Sequence, residues 1–150
     1  METTTFATKK YTYTKFALEL ISFAYILLFL YASIYKLLDV GYFTRQLAKS
    51  PLIGSFNHVL AYAVPVIELV AVVLLVYLPY RRAGLWLATF IMGAFTFYIG
   101  YVLLFAPEIP CACGGVFVSM GWGEHLIFNA IYFLAGILAI VLERKFRLNR

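Results

Sequence analysis

Charge is scarce in this 150-residue chain: 13% of the residues are Asp, Glu, Lys or Arg, 64% are hydrophobic, and the mean hydropathy is +0.90. Soluble domains carry about a quarter charged residues, so this composition excludes an ordinary water-soluble globule. Internal repeats are lacking too, which argues against a transporter built from duplicated halves. No recognisable cofactor motif occurs, and low complexity is confined to the N-terminal threonines. No small-residue cleavage site follows the first apolar run before Lys36, so that run reads as a retained helix rather than a secretory signal. Cysteine is limited to two residues, separated by a single residue.

What the chain does have is length in apolar runs. Four stretches, at about 16–37, 59–80, 83–105 and 125–142, each reach the roughly 20 residues that cross about 30 Å of hydrocarbon. The fold expected is an all-α, four-helix transmembrane bundle forming one integral membrane domain, with every backbone group in lipid satisfied within its own helix. Basic residues orient it. Lys9, Lys10, Lys15, Arg81, Arg82, Arg144, Lys145, Arg147 and Arg150 fall on the side of the termini, and Lys36, Arg45 and Lys49 on the other. That asymmetry places both termini in the cytoplasm and the third loop outside, in a bacterium the periplasm. It also accounts for the net charge of +5 without a nucleic-acid partner, because the cations sit at the membrane edges.

The third loop carries Pro110-Cys111-Ala112-Cys113-Gly114-Gly115. Proline and glycine take both thiols out of any helix, and a glycine-rich turn can bring the sulfurs together. A disulfide across a single residue closes a very small ring, which suits exchange better than stapling. Cys111 and Cys113 are therefore the candidate redox pair. His125, at the start of the last span, is a candidate stabiliser of a thiolate, helped by the helix N-terminus. With His58 the thiols make a zinc-type donor set, but their one-residue gap differs from the usual ligand spacing, and no metal is expected.

Glu68 lies about ten residues into the second span, near mid-membrane. A carboxylate there must face the bundle interior, and Pro65 adds a local break in the helix hydrogen bonding. Two readings stand: an interhelical hydrogen bond to Thr96, Tyr98 or Asn129, or a proton-handling role. Lys36 and Asp39 are expected to pair at the edge of the first helix, and Lys15 with Glu19 at its other end. In the first loop, Phe43, Leu47 and Leu52 are expected to face the bilayer from a short interfacial helix, with Arg45 and Lys49 in water and Ser50-Pro51 ending it. Aromatic residues near the span ends read as an interfacial belt, and Tyr98 and Tyr101 are candidates to line a pocket for a flat ring such as a quinone. Gly93 and Gly100 are expected to permit close helix packing.

These pieces together resemble the methylamine-utilisation MauE family and the wider DoxX-like group of small four-helix membrane proteins. The resemblance rests on Lys36-Leu-Leu-Asp39, Phe43 through Ser50-Pro51-Leu52, Pro65-x-x-Glu68-Leu69, Arg82-x-Gly84-Leu85 and the Cys-x-Cys-Gly segment, over most of residues 25–140. It implies a membrane protein linked to thiol redox and to maturation of periplasmic proteins, beside a thioredoxin-like partner. The fold is also similar to the core of vitamin K epoxide reductase and of the bacterial disulfide-forming quinone reductases. Those enzymes use two cysteine pairs where this chain has one, and Gly115 stands where the commoner motif has an aromatic. The expected function is a thiol–disulfide oxidoreductase component that exchanges disulfides with an extracytoplasmic partner and passes electrons to quinone. The alternative is a non-catalytic membrane subunit or assembly factor of a larger envelope complex.

Overall fold

A computed structural model describes residues 2–50, 52–105 and 121–148, with side chains between 12 and 145. Cys111 and Cys113 lie outside the described residues. The described chain is helical: α1 (Glu2–Leu38), α2 (Val40–Ala48), α3 (Asn57–Val76), α4 (Arg81–Phe105) and α5 (Trp122–Leu148), with single 3-10 turns at Gly54–Phe56 and Leu78–Tyr80. Four spans of membrane-crossing length and hydropathy are present among the described residues, Thr12–Leu38, Gly54–Val76, Leu78–Phe105 and Trp122–Lys145. The second span ends earlier than the expected Tyr80. Tyr77 is extended, with φ −82° and ψ 103°, and Pro79, which has no N–H and whose ring would clash with the Leu75 carbonyl, does not continue the helix.

The long helices form a ring in the order α1, α3, α4, α5, each packed on its two neighbours, while α2 lies against α3. Their alternating direction puts the C-terminal ends of α1 and α4 and the N-terminal ends of α3 and α5 at one end, capped by α2. Tyr25, Phe29, Ala71, Leu75, Leu85, Ala88 and Met92 fill the centre. Outward residues are large and apolar as well: Phe23, Phe90, Phe97, Ile127 and Leu134 are all more than half exposed. A surface of that kind is stable only against lipid.

Short connections carry polar anchors at both ends. At the end opposite α2, the Arg81 guanidinium turns inward and donates to the Ser22 hydroxyl at 3.1 Å and the Leu18 carbonyl at 3.2 Å. Arg82 and Glu143 approach at 3.9 Å across α4 and α5, and Lys15 meets Glu19 at 4.0 Å as expected. At the α2 end, Asp39 does not pair with Lys36. Its carboxylate accepts from the Tyr42 N–H at 2.8 Å and caps α2, a use of the first-turn donor that leaves Lys36 free to reach elsewhere. Phe43 and Leu47 are buried against Ala61, Leu60 and Val64 rather than facing the bilayer. Of the expected lipid-facing trio, only Leu52 is exposed. The periodicity of α2 is amphipathic, and α3 takes up its apolar face before lipid can.

Close approach depends on one of the two glycines expected to permit it and on others besides. Gly93 does receive the Phe133 ring edge, but Gly100 has open space around it. Tight positions also include Gly84, where a Cβ would come within 2.7 Å of the Leu75 backbone nitrogen, and Gly136, where it would collide with the Thr89 and Tyr25 hydroxyls. Tyr25 is fully buried and its hydroxyl donates to the Tyr132 carbonyl at 2.6 Å, so α1, α4 and α5 meet at a point with no slack. Gly136→Val is therefore expected to lower stability by about 1–3 kcal/mol, measured by SDS unfolding in mixed micelles. An unfolding midpoint equal to wild type would show that this crossing yields.

Candidate functional site

Inside the α2 end lies a cavity of about 380 Å³. Its walls are mostly apolar and aromatic, with Phe29, Met92, Phe95 and Phe128 among them, and its polar groups are Lys36, Glu68, Tyr98, His125 and Asn129. Each reaches it for a local reason. Glu68 sits eleven residues into α3, about 16 Å along the axis, on the buried stripe that also holds Ala61, Pro65, Ala71, Val72 and Leu75. Lys36 lies in the last turn of α1, and because α2 folds back over that end its side chain extends into the bundle instead of out to water.

There Lys36 Nζ donates to Glu68 Oε1 in a salt bridge. The lysine side chain is 10% exposed and the glutamate 1%, so both charges have lost nearly all their water. A bare mid-membrane carboxylate is costly, and the ammonium is what makes this one tenable. The ammonium also stands 5.7 Å from the Phe43 ring centre and 5.4 Å from that of Phe95, contacts that contribute about 0.5–2 kcal/mol each when desolvated. None of the three residues expected to bond Glu68 is its partner. Thr96 donates to the Met92 carbonyl at 2.7 Å, and Tyr98 to the Ser50 hydroxyl at 2.7 Å, while Asn129 lines the cavity.

The Tyr98–Ser50 bond ties α4, through a cavity-lining side chain, to the turn after α2. Tyr101 does not line the cavity; its ring packs on Phe105 at 5.1 Å between centroids. His125, in the first turn of α5, lines the cavity with Lys36 and Glu68, whereas His58 is exposed at the start of α3 and does not. Among the described residues no group of three or more His, Cys, Asp and Glu side chains is placed to hold a metal ion. Lys36 is the residue that sequence reasoning left at the edge. The signal was available in the Lys36-Leu-Leu-Asp39 run together with an acid in the next span that lacked a partner.

A family profile described as methylamine utilisation protein MauE matches residues 14–142. The chain belongs to the MauE family. That range contains every residue lining the cavity and both cysteines. Neither the curated proteins nor the solved structures contain a match to the chain. As a MauE-family member with four membrane-crossing helices among its described residues, it is a multi-pass membrane protein of the methylamine-utilisation type.

Proposed function

We propose that this MauE-family protein is a thiol–disulfide redox component of the bacterial inner membrane, in which Cys111 and Cys113 exchange disulfides with an extracytoplasmic, thioredoxin-like partner and pass the electron pair to a membrane quinone. The observation that carries the reading is the largely apolar cavity, with the Lys36–Glu68 pair in its lining, at the end of the bundle where the cysteine segment begins and ends. Phe105, the last residue of α4, follows the cavity-lining Ile99 by under two turns, and Gly121 precedes His125 by one.

The exchange balances as follows. A partner thiolate attacks one sulfur of the Cys111–Cys113 disulfide, which breaks that S–S bond and forms a mixed disulfide. The partner's second thiolate then attacks the mixed disulfide, leaving the partner oxidised and both cysteines of the chain as thiols. Those thiols surrender two electrons and two protons to the quinone, giving the quinol, and the S–S bond re-forms.

Trapping tests this. Cys111→Ser or Cys113→Ser is expected to accumulate a mixed disulfide with an extracytoplasmic protein, since the remaining thiolate has no resolving neighbour. Intact spheroplasts quenched with a membrane-impermeant maleimide and run on diagonal gels, without and then with reductant, would show it. Full function of both single variants with nothing trapped would sink the exchange reading and leave the chain as a non-catalytic membrane subunit or assembly factor.

A further inference from the structure

The Lys36–Glu68 pair is incompletely satisfied, in a way that describes a ligand. An ammonium carries three N–H donors, and among the described residues Lys36 Nζ has one hydrogen-bond acceptor, Glu68 Oε1, with two ring faces beside it. Glu68 Oε2 has no hydrogen-bond partner among the described residues, on a side chain that is 1% exposed. Buried polar groups left in that state are costly. Both residues line a cavity whose volume, about 380 Å³, falls in the range of small-molecule sites, about 300–1,000 Å³, and Oε2, which is itself buried, faces it after a rotation of the carboxyl group.

The remaining wall narrows the chemistry. Phe29, Met92, Phe95 and Phe128 suit a flat apolar ring and offer nothing to a hydrated or highly charged group. A phosphate would bring more negative charge than a single cation already bound to a carboxylate can balance. Ala94 lines the cavity and is itself exposed, so at α4 the wall between the cavity and the lipid-covered side of the bundle is one small side chain thick. The occupant reaches it from the membrane, is flat, and carries an oxygen that accepts from Lys36 and, when reduced, donates to Glu68.

We propose that this cavity is the binding site for a quinone ring, with one ring oxygen held by Lys36 Nζ and, as the quinol hydroxyl, by Glu68 Oε2. The proposal rests on the thiol-redox reading for the source of electrons and on the cavity alone for the site. In the quinone state the carbonyl oxygen accepts from the ammonium. After the two thiols have delivered two electrons and two protons, the same oxygen bears a hydrogen that Glu68 Oε2 accepts once the carboxyl group turns toward the cavity, so both redox states find a partner without rearranging the helices.

Full-length protein in lipid nanodiscs, labelled with an azido analogue of decylubiquinone and competed with decylubiquinone, tests it by peptide mapping and by the competitor concentration at half-protection. Saturable labelling of the α3 and α4 segments around Val64 and Tyr98 is expected. The double variant Lys36→Met/Glu68→Leu, which replaces a buried ion pair with apolar groups of similar size, is expected to need at least tenfold more competitor. Ala32→Leu, which narrows the cavity without touching the pair, is expected to show the same loss and covers the case in which the double variant fails to fold. Cys111→Ser/Cys113→Ser is expected to protect at the wild-type concentration, which separates the site from the exchange chemistry. Absence of saturable labelling in the wild type, or wild-type protection in either cavity variant, would overturn the proposal even where cysteine trapping succeeds.

Discussion

Lys36→Met is expected to destabilise the bundle by about 3–5 kcal/mol, the usual cost of removing one partner from a buried ion pair. The reason is specific to the site. Glu68 is 1% exposed and has no other hydrogen-bond donor among the described residues, so without the ammonium its carboxylate must take up a proton or draw water into an apolar wall. Glu68→Leu is expected to cost a similar amount for the mirror-image reason, a lysine left between the Phe43 and Phe95 rings. Lys36→Met/Glu68→Leu is then expected within about 2 kcal/mol of wild type, because two apolar side chains satisfy one another where one charge does not. The check is a double-mutant cycle on SDS unfolding in mixed micelles. Strict additivity of the two single changes would mean that the charges do not depend on each other.

The second large effect concerns electron delivery. In membranes reconstituted with the redox partner, quinol formation is expected to fall to background in Cys111→Ser and in Cys113→Ser, since a single thiol can form a mixed disulfide but cannot re-form the internal bond that releases the electron pair. Glu68→Gln is expected to behave differently. The amide oxygen still accepts from Lys36, so the fold is kept, but the group no longer exchanges a proton, and a reduction of about 10²-fold in quinol formation follows from general acid–base contributions of that order. Stopped-flow absorbance of the quinone reads both. A Glu68→Gln protein with wild-type turnover would remove the carboxyl from the proton route and leave it a binding and structural group.

How much of this was legible in the sequence depended on the range of the interaction. The four spans follow from local hydropathy, and the interior position of Glu68 follows from the cost of a carboxylate in lipid, neither of which needs a tertiary fold. The partner of Glu68 did need one. Lys36 lies 32 residues away from it, and reading it as an edge residue paired with Asp39 is correct for an isolated helix end. The tertiary position of α2 changed that outcome: Asp39 became a cap, Phe43 and Leu47 turned toward α3, and the end of α1 became an interior.

The glycines teach the same lesson. Gly93 and Gly100 stand seven apart on one face of α4 and read as a packing stripe, yet only Gly93 meets a neighbour. Gly84 stood out only as part of the Arg82-x-Gly84-Leu85 motif, and Gly136 not at all. Their importance comes from where α3 crosses α4 just before a tight turn, and from three helices converging on the Tyr25 hydroxyl.

The neutrality of the Lys36–Glu68 pair bears on energy coupling across the membrane. Among the described buried residues these are the two charged side chains, and their charges cancel within one contact. A transmembrane voltage acts on net charge, about 2.3 kcal/mol per elementary charge for each 100 mV, so it has almost no grip on this pair. Glu68→Gln would leave an uncancelled lysine in the same place and make the bundle responsive to the field. The native arrangement lets the protein hold an ammonium inside the membrane while remaining indifferent to how strongly the cell is energised.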